Sequence, residues 1–471
     1  QAIAYILAAL PAFEYLHGQG LVYCDFKPDN LIQVGDSVKL IDLGGVRRLG
    51  DHDADIYGTI GFQAPEVPTL GTTVASDLYT IGRTLAVLTM DFRGYTSAYV
   101  DSLPDPADHP ALRDHEPFYR FLHKACAPHP DDRFQSATAM SEQLLGVLRI
   151  IVAAQTGAPQ PGPSHEFTGA PVGKQLLPWL AVDPSDDAAA FLARMSDDPV
   201  EALAQLDQAV RDGQVMQTVE VRLRAASDLV EAGPAAPPEA ITRWTGPLDQ
   251  TRALIDEDPW NWRAVWVQGY ARLAAGDLAG AATDFDRVRS EAPGELAPLY
   301  ASAVVAERTG NRALAEALYD LVSTVDPSWV TASMGLGRVR ADAGDVDGAI
   351  GAYGRVPVTH RAHAAAQREL VVVLTAAGRY GDAMQQLDAA PSGDDRDRLR
   401  ASLLEAAIAD LAAGRLPEDP AAAVGDVPQT ERDLRSAAEA AYRRLARSAD
   451  DPAVRHALVD RANQIRPVTV L

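Results

Sequence analysis

The run YCDFKPDNLIQVGDSVKLIDLGG, residues 23–45, decides how this chain is read. It opens with Asp25, Lys27 and Asn30 at i, i+2 and i+5. Residues 31–41 (LIQVGDSVKLI) then alternate apolar and polar around Gly35-Asp36, which predicts two short strands joined by a tight turn. Asp42-Leu43-Gly44 follows directly. A loop of acidic, basic and amide groups therefore faces a second acidic group across a hairpin.

Phosphoryl transfer depends on positioning and charge neutralisation more than on covalent chemistry. One carboxylate must sit where a substrate hydroxyl loses its proton, and a second carboxylate with an amide must hold Mg²⁺ on the phosphates. Asp-x-Lys-x-x-Asn followed across a hairpin by Asp-x-Gly resembles the catalytic loop and metal-binding motif of the eukaryotic-type protein kinase fold. The resemblance implies Asp25 as catalytic base, Lys27 as partner of the γ-phosphate, and Asn30 and Asp42 as Mg²⁺ ligands. It implies ATP and Mg²⁺ as cofactors. Lysine two places after the base marks serine/threonine kinases.

Further signals fall at kinase spacing. Gly58-Thr59-Ile60-Gly61-Phe62-Gln63-Ala64-Pro65-Glu66 resembles the substrate-docking loop and the Ala-Pro-Glu motif, in which the threonine, here Thr59, bonds the base and the lysine. Asp77-Leu78-Tyr79-Thr80-Ile81-Gly82 resembles the central helix whose Asp anchors the catalytic-loop backbone. Arg133 matches the arginine that pairs with the glutamate of Ala-Pro-Glu, here Glu66. Each residue alone reads as a turn, cap or structural group; their order and spacing together point to the kinase site. Cys24 has two readings, a reactive thiol or a small buried residue beside the loop. His17, His52, His115, His123 and His129 lack ligand spacing and are expected on the surface or in loops.

The chain has 471 residues, room for two or three domains. Its formal net charge of −23 argues against a nucleic-acid partner, which needs a concentrated basic face. Two cysteines, Cys24 and Cys126, exclude a disulfide framework or a four-cysteine metal site within the chain and suit a reducing cytosol. No uninterrupted apolar run reaches the ~18 residues of a membrane span, so no transmembrane segment is expected.

Residues 1–17 carry apolar side chains at helical spacing, and helices are expected from near Ala75, near Pro117 and over Ser136–Ala154. Residues 155–190 are rich in Pro, Gly, Ser and Thr and read as a linker. Beyond them the chain is Ala-rich and expected to be helical almost to Leu471. Pro259, Pro293 and Pro327 are 34 apart, as are Gly276, Gly310, Gly344 and Gly378. Ala281, Ala315, Ala349 and Ala383 keep the same register, as do Phe285, Tyr319, Tyr353 and Leu387. Gly269, Ala303 and Gly337 add a small-residue position. This period resembles the tetratricopeptide repeat, a helical hairpin that buries its apolar face only by stacking; an Ala-rich bundle with accidental spacing is the bland alternative. An irregular unit is expected in 219–258 around GPAAPPEA, and capping helices at about 432–466.

The fold expected is mainly α: a kinase-like C-lobe, helical with short β-hairpins, over 1–154; the linker over 155–190; and a repeat solenoid over 191–471, with clear repeats at about 259–391. The repeat register places Arg263, Trp266, Tyr270, Tyr300 and Arg338 on the inward face of the first helices, a candidate groove for a protein or peptide partner, with packing of those aromatics as the alternative. The repeat domain is also a candidate homodimer surface.

This order of domains, with LVYCDFKPDNLI, KLIDLGGV, YGTIGFQAPEV, SDLYTIGRTLAVLTMD, GELAP and VDRANQIRP, resembles the actinobacterial serine/threonine protein kinase G family. The resemblance implies protein substrates and a cytosolic regulator of central carbon and nitrogen metabolism acting through a forkhead-associated-domain protein. The sequence departs from the family in having no Gly-x-Gly-x-x-Gly ahead of a Val-Ala-x-Lys and no metal module. An N-terminally truncated kinase, weak or inactive by itself, is expected; a lobe-less pseudokinase fused to a repeat scaffold is the alternative. The usual arginine before the base is Cys24, and 45–57 (GVRRLGDHDADIY) offers Tyr57 as its one hydroxyl, so control by activation-segment phosphorylation is not expected.

Overall fold

The computed structural model describes residues 1–35, 37–50, 58–171, 175–389 and 392–467. The fold is mainly helical, as the sequence predicts, and falls into two compact units, Gln1–Asp326 and Pro327–Leu471.

The first unit begins with α1 (Ala2–Gly18), whose Ile6, Leu10 and Phe13 are buried. Short antiparallel pairs follow: β1 (Leu21–Val22) with β4 (Arg47–Arg48), and β2 (Leu31–Val34) with β3 (Ser37–Leu40). Then come α2 (Val67–Leu70), α3 (Val74–Thr89), α4 (Pro110–Arg113), α5 (Glu116–Ala125) and α6 (Ala137–Thr156). A capping box starts α3, with Thr73 Oγ1 accepting from Ser76 N and Ser76 Oγ accepting from Thr73 N. Every residue of α3 from Ala75 to Ala86 is buried. Its Leu78 and Leu85 join Phe13, Phe26, Phe121, Met140 and Leu144 in one core.

By length and composition, α6 is apolar enough to cross a membrane, although Ser141, Glu142, Gln143 and Arg149 interrupt its apolar run. Its Met140, Leu144, Val147 and Ala153 are instead buried, the first three in the C-lobe core.

The segment after Gly157, read from composition as a linker, forms no helix before α7 (Ala189–Leu192) among the described residues. It is nevertheless docked. Phe167 and Leu177 are buried, and Gln160 N donates to Val325 O at 2.9 Å. Helices α8 (Pro199–Arg211), α9 (Val219–Ala232), α10 (Pro238–Trp244) and α11 (Pro247–Glu257) precede the regular hairpins α12–α13 (Trp262–Ala275, Leu278–Glu291) and α14–α15 (Leu296–Thr309, Arg312–Val325).

The first hairpins and the C-lobe share one unit because they are locked together. Lys124 pairs with Glu291 at 2.6 Å, Arg289 with Glu116 at 2.5 Å, and Trp260 Nε1 donates to Asp132 Oδ1 at 2.8 Å. A Cβ on Gly146 would lie 2.3 Å from Gly294 O, so α6 and the turn before α14 touch through backbone. The compact division thus falls at Asp326.

The second unit holds α16 (Val330–Asp342), α17 (Val346–Gly354), α18 (His363–Ala376), α19 (Tyr380–Ala389) and α20 (Asp394–Ala412), then a hairpin β5–β6 (Asp419–Val424, Val427–Gln429), then α21 (Glu431–Ser448) and α22 (Pro452–Ile465). The hairpin corrects the expectation of helix nearly to the end.

The repeat columns have physical causes. Gly276, Gly310, Gly344 and Gly378 all have positive φ, between 73° and 83°, ending the first helix of each hairpin at little steric cost. The small-residue column faces the aromatic one: a Cβ on Gly269 would meet Phe285 at 2.8 Å, and one on Gly337 would meet Tyr353 at 2.5 Å.

Candidate active site

The β2–β3 register pairs Leu31 with Leu40, and Ile41 N donates to Asn30 O at 3.0 Å, one step beyond the ladder. Asp42 is therefore delivered to the same end of the hairpin as Asn30. The catalytic loop is fixed from beneath by α3. Asp77 accepts from Tyr23 N at 2.6 Å and Cys24 N at 2.7 Å, and Thr84 Oγ1 donates to Phe26 O at 3.1 Å. Cys24 sits at φ 73°, a strained conformation for a non-glycine residue, which this double anchor sustains.

Above that anchor the loop side chains converge. Thr59 Oγ1 donates to Asp25 Oδ1 at 2.6 Å, and Lys27 Nζ donates to Asp25 Oδ2 at 2.7 Å and to Thr59 Oγ1 at 2.8 Å. Asn30 Nδ2 donates to Asp25 O at 2.7 Å, tying the two ends of the loop. Asp25 and Lys27 each keep 21% of their side-chain surface exposed, enough to meet a substrate.

The amide nitrogen of Asn30 is used by the loop, which leaves its oxygen as the atom a metal could take. Asp42 is exposed, at φ 60°, with Oδ1 accepting from Gly44 N at 3.2 Å. A carboxylate and an amide oxygen at one end of a hairpin are hard oxygen donors, and they fit Mg²⁺ that takes its remaining ligands from phosphates and water. Among the described residues no cluster of three or more His, Cys, Asp or Glu could hold a metal by itself.

Two buried arginines frame the docking loop. Arg133 meets Glu66 through two bonds of 2.7 Å, and its other donors reach the carbonyls of Ala127, Pro128 and Ala75. All five N–H groups of a fully buried guanidinium are thus satisfied. Arg83, equally buried, donates to the carbonyls of Gly61, Tyr95, Tyr99 and Ser102 and lies over the Phe92 ring, with no acidic partner among the described residues. Gly61 belongs to the docking loop, so Arg83 ties that loop to α3.

The family described as protein kinase domain matches residues 1–145, and the family described as protein kinase G tetratricopeptide repeat matches residues 168–469, more than half of the chain. The chain belongs to the protein kinase G family. The serine/threonine-protein kinase PknG of Mycolicibacterium smegmatis is 36% identical over 517 aligned residues, covering 100% of this chain and 65% of the relative. The PknG of Mycobacterium leprae shows the same identity and coverage. The chain thus spans about two thirds, 65%, of the length of these relatives. A solved tetratricopeptide repeat protein from Parabacteroides merdae has a TM-score of 0.34 at 13% identity, covering 56% of this chain and 93% of that one.

Within this protein kinase G chain the structure brings Asp25, Lys27, Thr59 and Asn30 into direct contact, sets Asp42 at the same hairpin end, and pairs Glu66 with Arg133. Tyr57, and with it most of the activation segment, lies outside the described residues. Cys24 is buried, and burial pushes its thiol up to about 12, with Asp77 adding to the shift, so it is not a reactive thiol at neutral pH.

The structure corrects two expectations. His17 is not a surface residue: its side chain is 8% exposed and its Nε2 lies 3.0 Å from Asp77 Oδ2. The groove of exposed aromatics is not present either. Trp266, Tyr270 and Tyr300 are all buried, Trp266 against Phe167 and Phe285, Tyr300 against Tyr319, while the Tyr270 hydroxyl donates to Glu231. Arg263 is ion-paired with Glu166 and Glu220; Arg338, in the second unit, is exposed. Large aromatics gain more from burial than from presentation, and α12 finds cover in the segment after Gly157.

Arg83 was missed. Its signal was a charge standing in a run, LYTIGRTLAVL, that otherwise reads as core.

Proposed function

We propose that the protein transfers the γ-phosphate of ATP to serine or threonine hydroxyls of protein substrates. The observation that carries this is the triangle of Asp25, Lys27 and Thr59. A carboxylate held from both sides by a hydroxyl and an ammonium has its position fixed before substrate arrives, the condition for general-base catalysis at a stated atom. Asp25 would accept the proton of the incoming hydroxyl. Lys27, bonded to that carboxylate, would face the transferred phosphoryl oxygens. Thr59 couples the base to the docking loop, so a substrate seated on Ile60, which is exposed, presents its hydroxyl beside Asp25. Asn30 and Asp42 would hold Mg²⁺, which neutralises phosphate charge when bound.

A non-catalytic scaffold has no physical need for this triangle or for a carboxylate–amide pair at the hairpin end. The remaining nucleotide contacts, a metabolic regulatory role and a forkhead-associated partner are part of the proposal for the full-length protein, as is a reducing cytosol, with which two free, buried cysteines agree. Incubation of the full-length protein with ATP, Mg²⁺ and a mixed protein substrate should yield phosphoserine or phosphothreonine by mass spectrometry. Phosphotyrosine alone, or no transfer, would overturn the proposal.

A further inference from the structure

The face of α12 that the repeat register assigns to a partner groove is covered by the chain itself. Phe167 sets its ring edge-to-face on Trp266, centroids 4.8 Å apart, with Trp262 at 5.9 Å. Beside it Glu166 accepts from Arg263 Nη1 at 3.2 Å, while Arg263 Nη2 donates to Glu220 at 2.9 Å. Ser164 Oγ donates to Glu295 Oε2 at 2.7 Å, just before α14. The backbone makes a short antiparallel pairing: Thr168 N donates to Trp179 O at 3.0 Å and Ala181 N to Glu166 O at 2.9 Å.

These contacts are of the kind that recognise peptides: one aromatic anchor in an aromatic pocket, one charge clamp beside it, and extended backbone. Of residues 164–168 only Phe167 is buried. The flanks, Pro161-Gly162-Pro163 and Gly169-Ala170-Pro171, do not propagate helix. The five residues are held by side-chain contacts with the repeats, by backbone pairing to Trp179 and Ala181, and by Glu166 N and Phe167 N donating to Ser164 Oγ.

We propose that Ser164–Thr168 is an in-cis peptide ligand of the first repeats, and that the same site accepts in trans an extended segment of a protein partner carrying an acidic residue followed by an aromatic one. The tethered ligand acts at an effective concentration on the order of millimolar, so it sets a threshold that a trans ligand must exceed. The α12 part of the surface expected from the repeat register is thus already occupied, by the chain itself.

The test uses the whole 471-residue chain and a fluorescent peptide of residues 161–170, PGPSHEFTGA. Phe167→Ala vacates the aromatic pocket. The peptide should bind this variant at least ~10-fold more tightly than the unaltered chain, and adding Arg263→Ala should weaken that binding at least ~10-fold. Equal binding to variant and unaltered chain, or indifference to Arg263→Ala, would overturn the proposal. Circular dichroism checks that Phe167→Ala folds. If it does not, excess peptide is added to the unaltered chain and amide exchange followed at Thr168 and Ala181. Faster exchange supports a displaceable ligand; unchanged protection overturns it.

Discussion

Thr59 Oγ1 lies 2.6 Å from Asp25 Oδ1, joining the loop that precedes Glu66 to the carboxylate proposed as the base. A hydrogen bond to a charged group is worth about 1.5–3 kcal/mol. Thr59→Ala in the full-length protein should therefore lower kcat by roughly 10–100-fold, while Thr59→Ser, which keeps the hydroxyl, should stay within about threefold of wild type. Steady-state peptide phosphorylation checks both. Equal losses in the two variants would assign Thr59 a packing role instead.

Glu66 and Arg133 form a buried bidentate pair, and removing one partner leaves an uncompensated charge. Glu66→Ala should cost about 3–5 kcal/mol in urea unfolding, and Glu66→Gln only part of that, because an amide oxygen still accepts. A loss under ~1 kcal/mol for Glu66→Ala would mean that the cleft rehydrates freely.

Arg83 satisfies four carbonyls with a planar fork that lysine cannot reproduce. Arg83→Lys should destabilise by at least ~2 kcal/mol, since each buried carbonyl left without a donor costs about 1–3 kcal/mol. Because one of those carbonyls belongs to Gly61, the variant should also raise the KM for peptide more than it lowers kcat. An unchanged KM would limit Arg83 to the core.

Burial pushes the Glu295 carboxyl up to about 7, with Ser164 and Gln143 only partly offsetting it. A raised folded pKa means that the folded state holds the proton more tightly than the unfolded chain, whose value is about 4.3. The stability that Glu295 contributes is complete below the unfolded value and is lost as pH rises through the folded one. The melting temperature should fall between roughly pH 4.3 and pH 7 for this reason, and burial of Asp228 and Asp284 acts in the same direction. Glu295→Gln, which keeps an acceptor for Ser164, should flatten the profile. Parallel profiles for variant and wild type would show that Glu295 does not titrate in this window.

The catalytic loop was legible because its chemistry is local: Asp25, Lys27, Asn30 and Asp42 are fixed by spacing and by one hairpin. The 34-residue columns were legible because each glycine and aromatic answers a steric demand repeated in every hairpin. What escaped depends on contacts distant in sequence. His17 reaches Asp77 only once α1 packs on α3, and Arg83 reaches Gly61 only once the loop before α2 folds over α3. Phe167 claims Trp266 across 99 positions, a partnership that no period or propensity announces. The run Asp419–Val424 is Ala-rich and favours helix, yet Gly425-Asp426 turns it into a hairpin that buries Val424 and Val427. The strands expected on either side of the first Gly-Asp do pair, β2 with β3, because the flanking β-branched residues agree with the signal; among alanines, tertiary burial decides.

The central claim is that Asp25 is the base of a phosphoryl transfer, and Asp25→Asn in the full-length protein tests it most directly. Asparagine keeps the size of the side chain and one oxygen to accept from Lys27, with an amide that the Thr59 hydroxyl can accept from, but it cannot take the substrate proton. Peptide phosphorylation measured alongside thermal melting should show kcat reduced at least ~100-fold, with KM within about threefold and the melting temperature nearly unchanged. A variant that kept more than about a tenth of wild-type kcat, a barrier change below ~1.4 kcal/mol, would contradict the assignment.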